Sequence, residues 1–179
     1  MAEQFSNEQL AHLVSEKSSL SDSGIDAADL IELTRTAVAE LEKQTERLTY
    51  LNALQAKEAC EFFWQQAREG QERHKQYPRL GSRVRLLKNS LLILWYNSSY
   101  LLKPKSGGDR KFTAKHISKP RHKFRYSNAS LSNCYEWEKE NIVRTEDDYE
   151  KLRVRQSLIT EMRAKLAKFK QVTDEFAGE

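Results

Sequence analysis

The sequence predicts an α+β fold in which two long helices flank a small antiparallel sheet of three or four strands. Two observations lead to this prediction. All three prolines and three of the six glycines fall between residues 78 and 120, while long stretches on either side contain almost none. Within the Pro/Gly-rich middle, Leu91–Tyr96 is an unbroken apolar run of strand length. Helices are therefore expected on both sides of a β-rich centre.

The chain divides into four segments that its 179 residues accommodate in one domain. The first contains an amphipathic stretch, Asn7–Lys17, followed by a Ser-rich linker. The segments are residues 1–24 (short helix and linker), 25–77 (long helix), 78–132 (basic β block) and 133–179 (second long helix).

The first long helix is expected to start at Asp26, with Asp29 in its first turn, and to meet its next breaker at Gly70. Phe62, Phe63 and Trp64 near its end suit packing against a sheet. A coiled-coil-like seam with a 4-then-3 spacing is predicted along it, formed by Leu30, Thr34, Ala37, Leu41, Gln44, Leu48 and Leu51.

The C-terminal flank is predicted to be a helix that begins at a capping box of Asn133 and Glu136. It either runs unbroken from Cys134 to Phe176 or divides near Val143. A seven-residue repeat supports a second seam, formed by Leu152, Ile159 and Leu166. The two helices would pack as an antiparallel hairpin, and dimerisation through the same seams is the alternative.

The middle block is predicted to form short antiparallel strands. Leu91–Tyr96 would be the central strand, covered on both faces, with Arg83–Leu87 before it and Ser99–Lys103 as an optional further strand. Ser106–Asp109 resembles a hairpin turn that leads into the strand Lys111–Ile117.

The same block is strongly basic. Between Arg79 and Arg125 there are thirteen Lys and Arg residues and a single acid, Asp109, although the whole chain carries a net charge of only +4. Such a block between acidic flanks indicates a polyanionic partner, and duplex DNA is the favoured one.

Alternation of cations along extended chain identifies the expected DNA-binding residues, because residues two apart project to the same side of a strand. The segment 119–125 would form a four-cation row, and two neighbouring strands would extend it. The predicted DNA contacts are Arg83, Arg85, Lys111, Lys115, Lys119, Arg121, Lys123 and Arg125. An ordinary solvated face is the alternative, but such faces mix both signs of charge.

Catalysis is not expected. The basic block holds one carboxylate, and no Gly-rich phosphate loop is present. His116 and His122 suit a cationic surface better than a metal site, and Cys60 and Cys134 lack the spacing of a zinc site. No metal or other cofactor is therefore predicted. No run of about 18 apolar residues suggests a membrane span, so a cytoplasmic protein is expected.

The order of features resembles the MobI-like mobilisation proteins of integrative conjugative elements and conjugative plasmids. The resemblance covers about residues 83–166, and these motifs carry it: Arg83-Val84-Arg85, Leu94-Trp95-Tyr96, Lys115-His116-Ile117-Ser118-Lys119, Trp137-Glu138, Thr145-Glu146-Asp147-Asp148-Tyr149 and Leu152-Arg153. The resemblance implies a non-enzymatic accessory factor that holds origin-of-transfer DNA and helps a relaxase, with no catalytic residue.

Two other functions fit the same features. The first is a coiled-coil adaptor or scaffold whose basic block binds an acidic protein or an anionic surface. The second is binding of single-stranded nucleic acid, with Phe112, Phe124 or Tyr126 stacking on bases. A homodimer is compatible with each of these functions.

Overall fold

The computed structural model describes residues 27–88, 90–100 and 112–177, without the side chains of residues 27, 99, 100, 112 and 113. The described elements are two long helices and a three-stranded antiparallel sheet, which confirms the α+β prediction. The elements are α1 (Ala27–His74), β1 (Leu80–Leu87), β2 (Ser90–Tyr100), β3 (Phe112–His116) and α2 (Glu136–Ala177). The predicted N-terminal helix and the Ser106–Asp109 turn lie outside the described residues.

Helix α1 does not stop at the glycine that was expected to end it. It continues through Gly70 to His74, and the indole of Trp137 packs where a side chain at Gly70 would project. A Cβ at Gly70 would lie 2.3 Å from Cζ3 of Trp137. The glycine therefore permits a close approach of α2 to α1.

The aromatic end of α1 docks on the sheet, as predicted. Phe63 is fully buried and its ring meets that of Trp95 edge-on, with centroids 5.0 Å apart. Trp64 donates from Nε1 to the carbonyl oxygen of Ser82 at 3.0 Å, on the neighbouring strand β1. These contacts attach the sheet to α1.

Strand β2 is central, as predicted, but the core lies against only one of its faces. Leu91, Ile93 and Trp95 belong to the buried cluster that also contains helix residues. Leu92 and Leu94 project from the opposite face and are half-buried. The prediction that both faces are covered is therefore wrong, since the helices pack on one face of the sheet.

Helix α2 runs unbroken from Glu136, two residues after the predicted start. Glu138 closes its first turn: its Oε2 accepts a hydrogen bond from the backbone N–H of Tyr135 at 2.8 Å. Its Oε1 also accepts from the backbone N–H of Arg79 at 3.0 Å. Asn133 instead donates to Oδ1 of Asn97 at 3.1 Å, so the predicted Asn133–Glu136 capping box is wrong.

The described residues form two compact units, one within residues 45–161 and one of residues 27–44 and 162–177. In the first unit, α1 and α2 pack antiparallel through a partly polar seam. Thr45, Thr49 and Asn52 are buried there, and Asn52 donates to the carbonyl oxygen of Leu152 at 3.0 Å. In the second unit, Arg35 pairs with Asp174 at 2.9 Å.

The predicted α1 seam is not the buried one. Within residues 45–161, Leu48 and Leu51 are 40% and 53% exposed. The buried positions are shifted around the helix by about one residue, to Thr49 and Asn52. The Leu spacing therefore marks a solvent-facing stripe, and the intrachain contact uses smaller and more polar side chains.

Candidate nucleic-acid interface

The open face of the sheet, which is turned away from the helices, is cationic. Directly paired residues of antiparallel strands project to the same side, and the register pairs Arg83 with Leu94 and Arg85 with Leu92. The two arginines are exposed beside half-buried leucines. Strands β1, β2 and β3 contain no Asp or Glu. Within these strands, no carboxylate offsets the arginines.

Tyr96 and His116 complete this face. They are directly opposite each other in the β2–β3 register, and Tyr96 is opposite Gly81 in the β1–β2 register. A Cβ at Gly81 would lie 2.4 Å from Cζ of Tyr96, so the tyrosine ring occupies the space above the glycine. The open face is defined here by Arg83, Arg85, Leu92, Leu94, Tyr96 and His116.

The phenol of Tyr96 is held between two neighbours. The Arg83 guanidinium carbon lies 5.6 Å from the centroid of the Tyr96 ring. The ring centroid of Trp64, on helix α1, lies 6.5 Å from the same point. Burial raises the pKa of the Tyr96 hydroxyl, and the positive charge of Arg83 partly opposes this rise. Tyr96 is thus a half-buried, neutral ring on a cationic face.

Lys115 is not part of the open face. It is paired with Asn97, one position after Tyr96, and therefore projects from the helix-facing side of the sheet, where it is exposed. The prediction that Lys115 and the β1 arginines form one patch is wrong, because the register puts them on opposite faces. Lys111 lies outside the described residues.

The predicted four-cation row does not form. Strand β3 ends at His116, and the N–H of Lys123 donates to the carbonyl oxygen of Pro120 at 3.4 Å, which closes a turn. His122 has φ 59°, the left-handed value that the third residue of such a turn adopts. Since the chain reverses between Pro120 and Lys123, the alternate cations cannot share one side of an extended segment.

The four cations of this segment therefore differ in availability. Lys119 directs Nζ to the carbonyl oxygens of Pro120, at 3.3 Å, and of Lys123. Arg125 pairs through Nη1 with Asp147 at 2.5 Å and with Glu150 at 3.0 Å. These hydrogen bonds raise the pKa of Arg125 and offset its charge. Arg121 and Lys123 are exposed and remain the segment's accessible cations.

A buried carboxylate that the sequence did not reveal as important holds this segment in place. Glu146 is only 1% exposed, and its Oε1 accepts from the backbone N–H of Tyr126 at 2.8 Å. The same oxygen accepts from Nη1 of Arg153 at 2.8 Å, and Arg153 also donates to the carbonyl oxygen of Phe124 at 2.7 Å. In the sequence, Glu146 stood out only as a member of the motif Thr145–Tyr149 that contributed to the family resemblance.

The aromatic residues proposed for base stacking have different surroundings. Tyr126 is buried, which excludes it as a stacking platform. Phe124 is 40% exposed, and the side chain of Phe112 is outside the described part of the chain.

Among the described residues, no cluster of His, Cys, Asp and Glu has the arrangement of a metal site. None of the described helices meets the length and apolarity of a membrane span.

Comparison with known proteins gives one match. The family model described as "MobI protein" matches residues 51–167, which include all three strands and most of unit 45–161. Neither the curated proteins nor the solved structures contain a match.

Proposed function

Because the chain belongs to the MobI family of mobilisation accessory proteins, we propose that it binds DNA at an origin of transfer and assists a relaxase there. The observation that carries the proposal is the acid-free sheet, whose open face presents Arg83 and Arg85. Arg121 and Lys123 on the adjoining turn supply further exposed cations. Phosphate contacts by such residues provide affinity and position without reading sequence.

Seven of the eight predicted DNA contacts lie within the described residues, and four of these seven are retained in the proposal, while Lys111 stays a prediction. Lys115 projects from the other face, Lys119 is directed at backbone carbonyls, and Arg125 is paired with two carboxylates. If Arg121 and Lys123 each neutralise one phosphate of duplex DNA, together they contribute about −1.8 to the slope of log K against log salt.

The test is to reverse the charge of two residues and to measure the affinity for duplex DNA at several salt concentrations. Arg121→Glu with Lys123→Glu is expected to lower duplex affinity and to reduce the magnitude of the salt slope by about 1.8. The matched control is Lys57→Glu with Arg68→Glu, two exposed cations of α1 that change the net charge equally. An equal loss of duplex affinity in both double variants, or no loss in Arg121→Glu with Lys123→Glu, would contradict the proposed surface.

A second function, protein docking, is favoured by the exposed leucines of α1. Within unit 45–161, Leu48, Leu51 and Leu54 are 40–53% exposed. Exposed apolar groups of this kind suit a helix of a partner, either a second copy or a relaxase. Leu48→Glu with Leu51→Glu is expected to abolish self-association in sedimentation experiments if the partner is a second copy, while DNA binding by the monomer persists.

A further inference from the structure

The open face combines two properties that phosphate binding alone does not require. Cations suffice to hold a phosphate backbone, yet the register also places Leu92, Leu94 and Tyr96 on the open face, where the Tyr96 ring lies 6.5 Å from that of Trp64 on α1. Large apolar groups on the exposed side of a sheet lose the burial free energy that they would gain in the core. Their presence indicates a ligand with an apolar surface of its own.

Two residues with ring side chains, Tyr96 and His116, project from this face on neighbouring strands. Tyr96 and His116 are cross-strand partners, and in antiparallel sheets such partners have Cβ atoms about 4.5–5.5 Å apart. Tyr96 is set above Gly81, a position with no side chain, and His116 is exposed. Rings on adjacent strands of an open antiparallel sheet are a platform on which bases of a single strand stack.

Charge on the flanks of the platform suits the backbone of the same strand. Arg83 is diagonal to Tyr96 and lies over its ring, and Arg85 continues the row along β1. A guanidinium in that position can stack on a base or pair with a phosphate. Paired bases in a duplex keep their faces stacked on one another, so only unpaired bases present a face to Tyr96 and His116.

We infer that the open face of the sheet binds unpaired DNA bases, which stack on Tyr96 and His116 while Arg83 and Arg85 hold the adjoining phosphates. The inference rests on the proposed function and specifies the form of DNA that this face binds. Arg121 and Lys123 then hold neighbouring duplex DNA. A protein with both surfaces is suited to an origin at which the strands have begun to separate.

The experiment uses the full chain, with fluorescence anisotropy of a labelled oligo(dT) and of a labelled duplex at one salt concentration. His116→Ala and Tyr96→Leu are each expected to weaken oligo(dT) binding about tenfold and duplex binding less than twofold. Tyr96→Phe, which keeps the ring, is the matched control and retains oligo(dT) affinity. His116 is exposed, so its substitution tests stacking without disturbing the core.

Ultraviolet crosslinking of a bromodeoxyuridine oligonucleotide gives a second readout, with the crosslinked peptide expected to contain Tyr96. Unchanged oligo(dT) affinity in both His116→Ala and Tyr96→Leu would overturn the inference. The proposed function would still stand after that result if duplex binding depends on Arg121 and Lys123. If the wild-type chain binds neither form of DNA, the proposed function fails as well.

Discussion

The indole Nε1 of Trp95 donates a hydrogen bond to the buried Oε2 of Glu146 at 2.6 Å, which joins the centre of the sheet to α2. The carboxylate is also paired with Arg153, whose side chain is only 9% exposed. Breaking a buried pair on one side leaves an uncompensated charge, and the typical cost is about 3–5 kcal/mol. The packing of the basic segment on the sheet therefore depends on this carboxylate.

Glu146→Ala is expected to lower the free energy of unfolding by about 3–5 kcal/mol, because Arg153 and Trp95 both lose their acceptor. Urea unfolding followed by tryptophan fluorescence measures the change. The double variant Glu146→Gln with Arg153→Met is expected to lose less than the sum of its single variants, since neither charge remains. A loss below about 1 kcal/mol in Glu146→Ala would refute the role assigned to the pair.

Arg125 is expected to become a DNA contact when its carboxylate partners are removed. Asp147→Asn with Glu150→Gln should raise duplex affinity and steepen the salt slope by about 0.9, which corresponds to one additional phosphate contact. Asp148→Asn with Glu140→Gln removes two exposed charges from the same helix and is the control. An equal change in slope in the control would show that general charge, not release of Arg125, is responsible.

Gly70→Ala is expected to destabilise the protein although alanine favours helix by about 1 kcal/mol. The new Cβ would lie 2.3 Å from the Trp137 ring, and overpacking of this kind costs about 1–3 kcal/mol. In a Trp137→Leu background the same substitution should become neutral or stabilising, because the ring is gone. Thermal unfolding of the wild type, the two single variants and the double variant measures whether the effect of Gly70→Ala on stability changes sign.

The buried tyrosines predict loss of stability at alkaline pH. Burial raises the pKa of Tyr149 far above 10, and Tyr149 shares a 2.6 Å hydrogen bond with Ser82. In the unfolded chain the phenol ionises near pH 10, so the unfolded state releases a proton that the folded state retains. The free energy of unfolding should therefore fall as pH rises above about 10.

Tyr149→Phe is the matched variant for this pH effect. It should cost about 1 kcal/mol at neutral pH, because the Ser82 hydrogen bond is lost, but it should show a shallower decline above pH 10. Chemical denaturation at several pH values separates the two effects. An unchanged slope in Tyr149→Phe would mean that another group causes the alkaline loss.

Asn52 and Gln156, which lie between α1 and α2, are expected to lower the stability of the protein. Asn52 donates to Gln156 at 3.3 Å, yet Oδ1 of Asn52 and Nε2 of Gln156 are buried with no partner among the described residues. Asn52→Leu with Gln156→Leu should raise the free energy of unfolding by about 1 kcal/mol, whereas Asn52→Leu alone leaves Gln156 unsatisfied. Thermal unfolding of the wild-type chain and these two variants checks this order.

Composition and local pattern were sufficient to predict the order of the described helices and strands. Leu91–Tyr96 was recognisable as the central strand because a six-residue apolar run is too short for an isolated helix. The docking of Phe63 and Trp64 on the sheet followed from aromatic clustering at one helix end. In both cases the signal is local, since it depends on residues that are adjacent in the chain.

The site was less predictable because it depends on pairing between distant residues. Alternation in the segment 119–125 suggested a strand, but Pro120 and His122 make a turn there whose geometry depends on contacts with α2. The separation of Lys115 from Arg83 depends on the strand register, and a shift of one residue exchanges the faces of the sheet. The spacing of residues along the sequence determines neither the contacts that hold the turn nor the register of the strands.

The hydrogen bonds of Glu146 also determine when the basic segment can become ordered during synthesis. Tyr126 and Phe124 leave the ribosome before Glu146 and Arg153, the residues that hold their backbone. Trp95 precedes its acceptor by 51 positions. Because synthesis adds about 5–20 residues per second, the backbone of Phe124 and Tyr126 remains without its α2 contacts for a second or more. The cationic segment therefore matures late, after the first turns of α2 have been made.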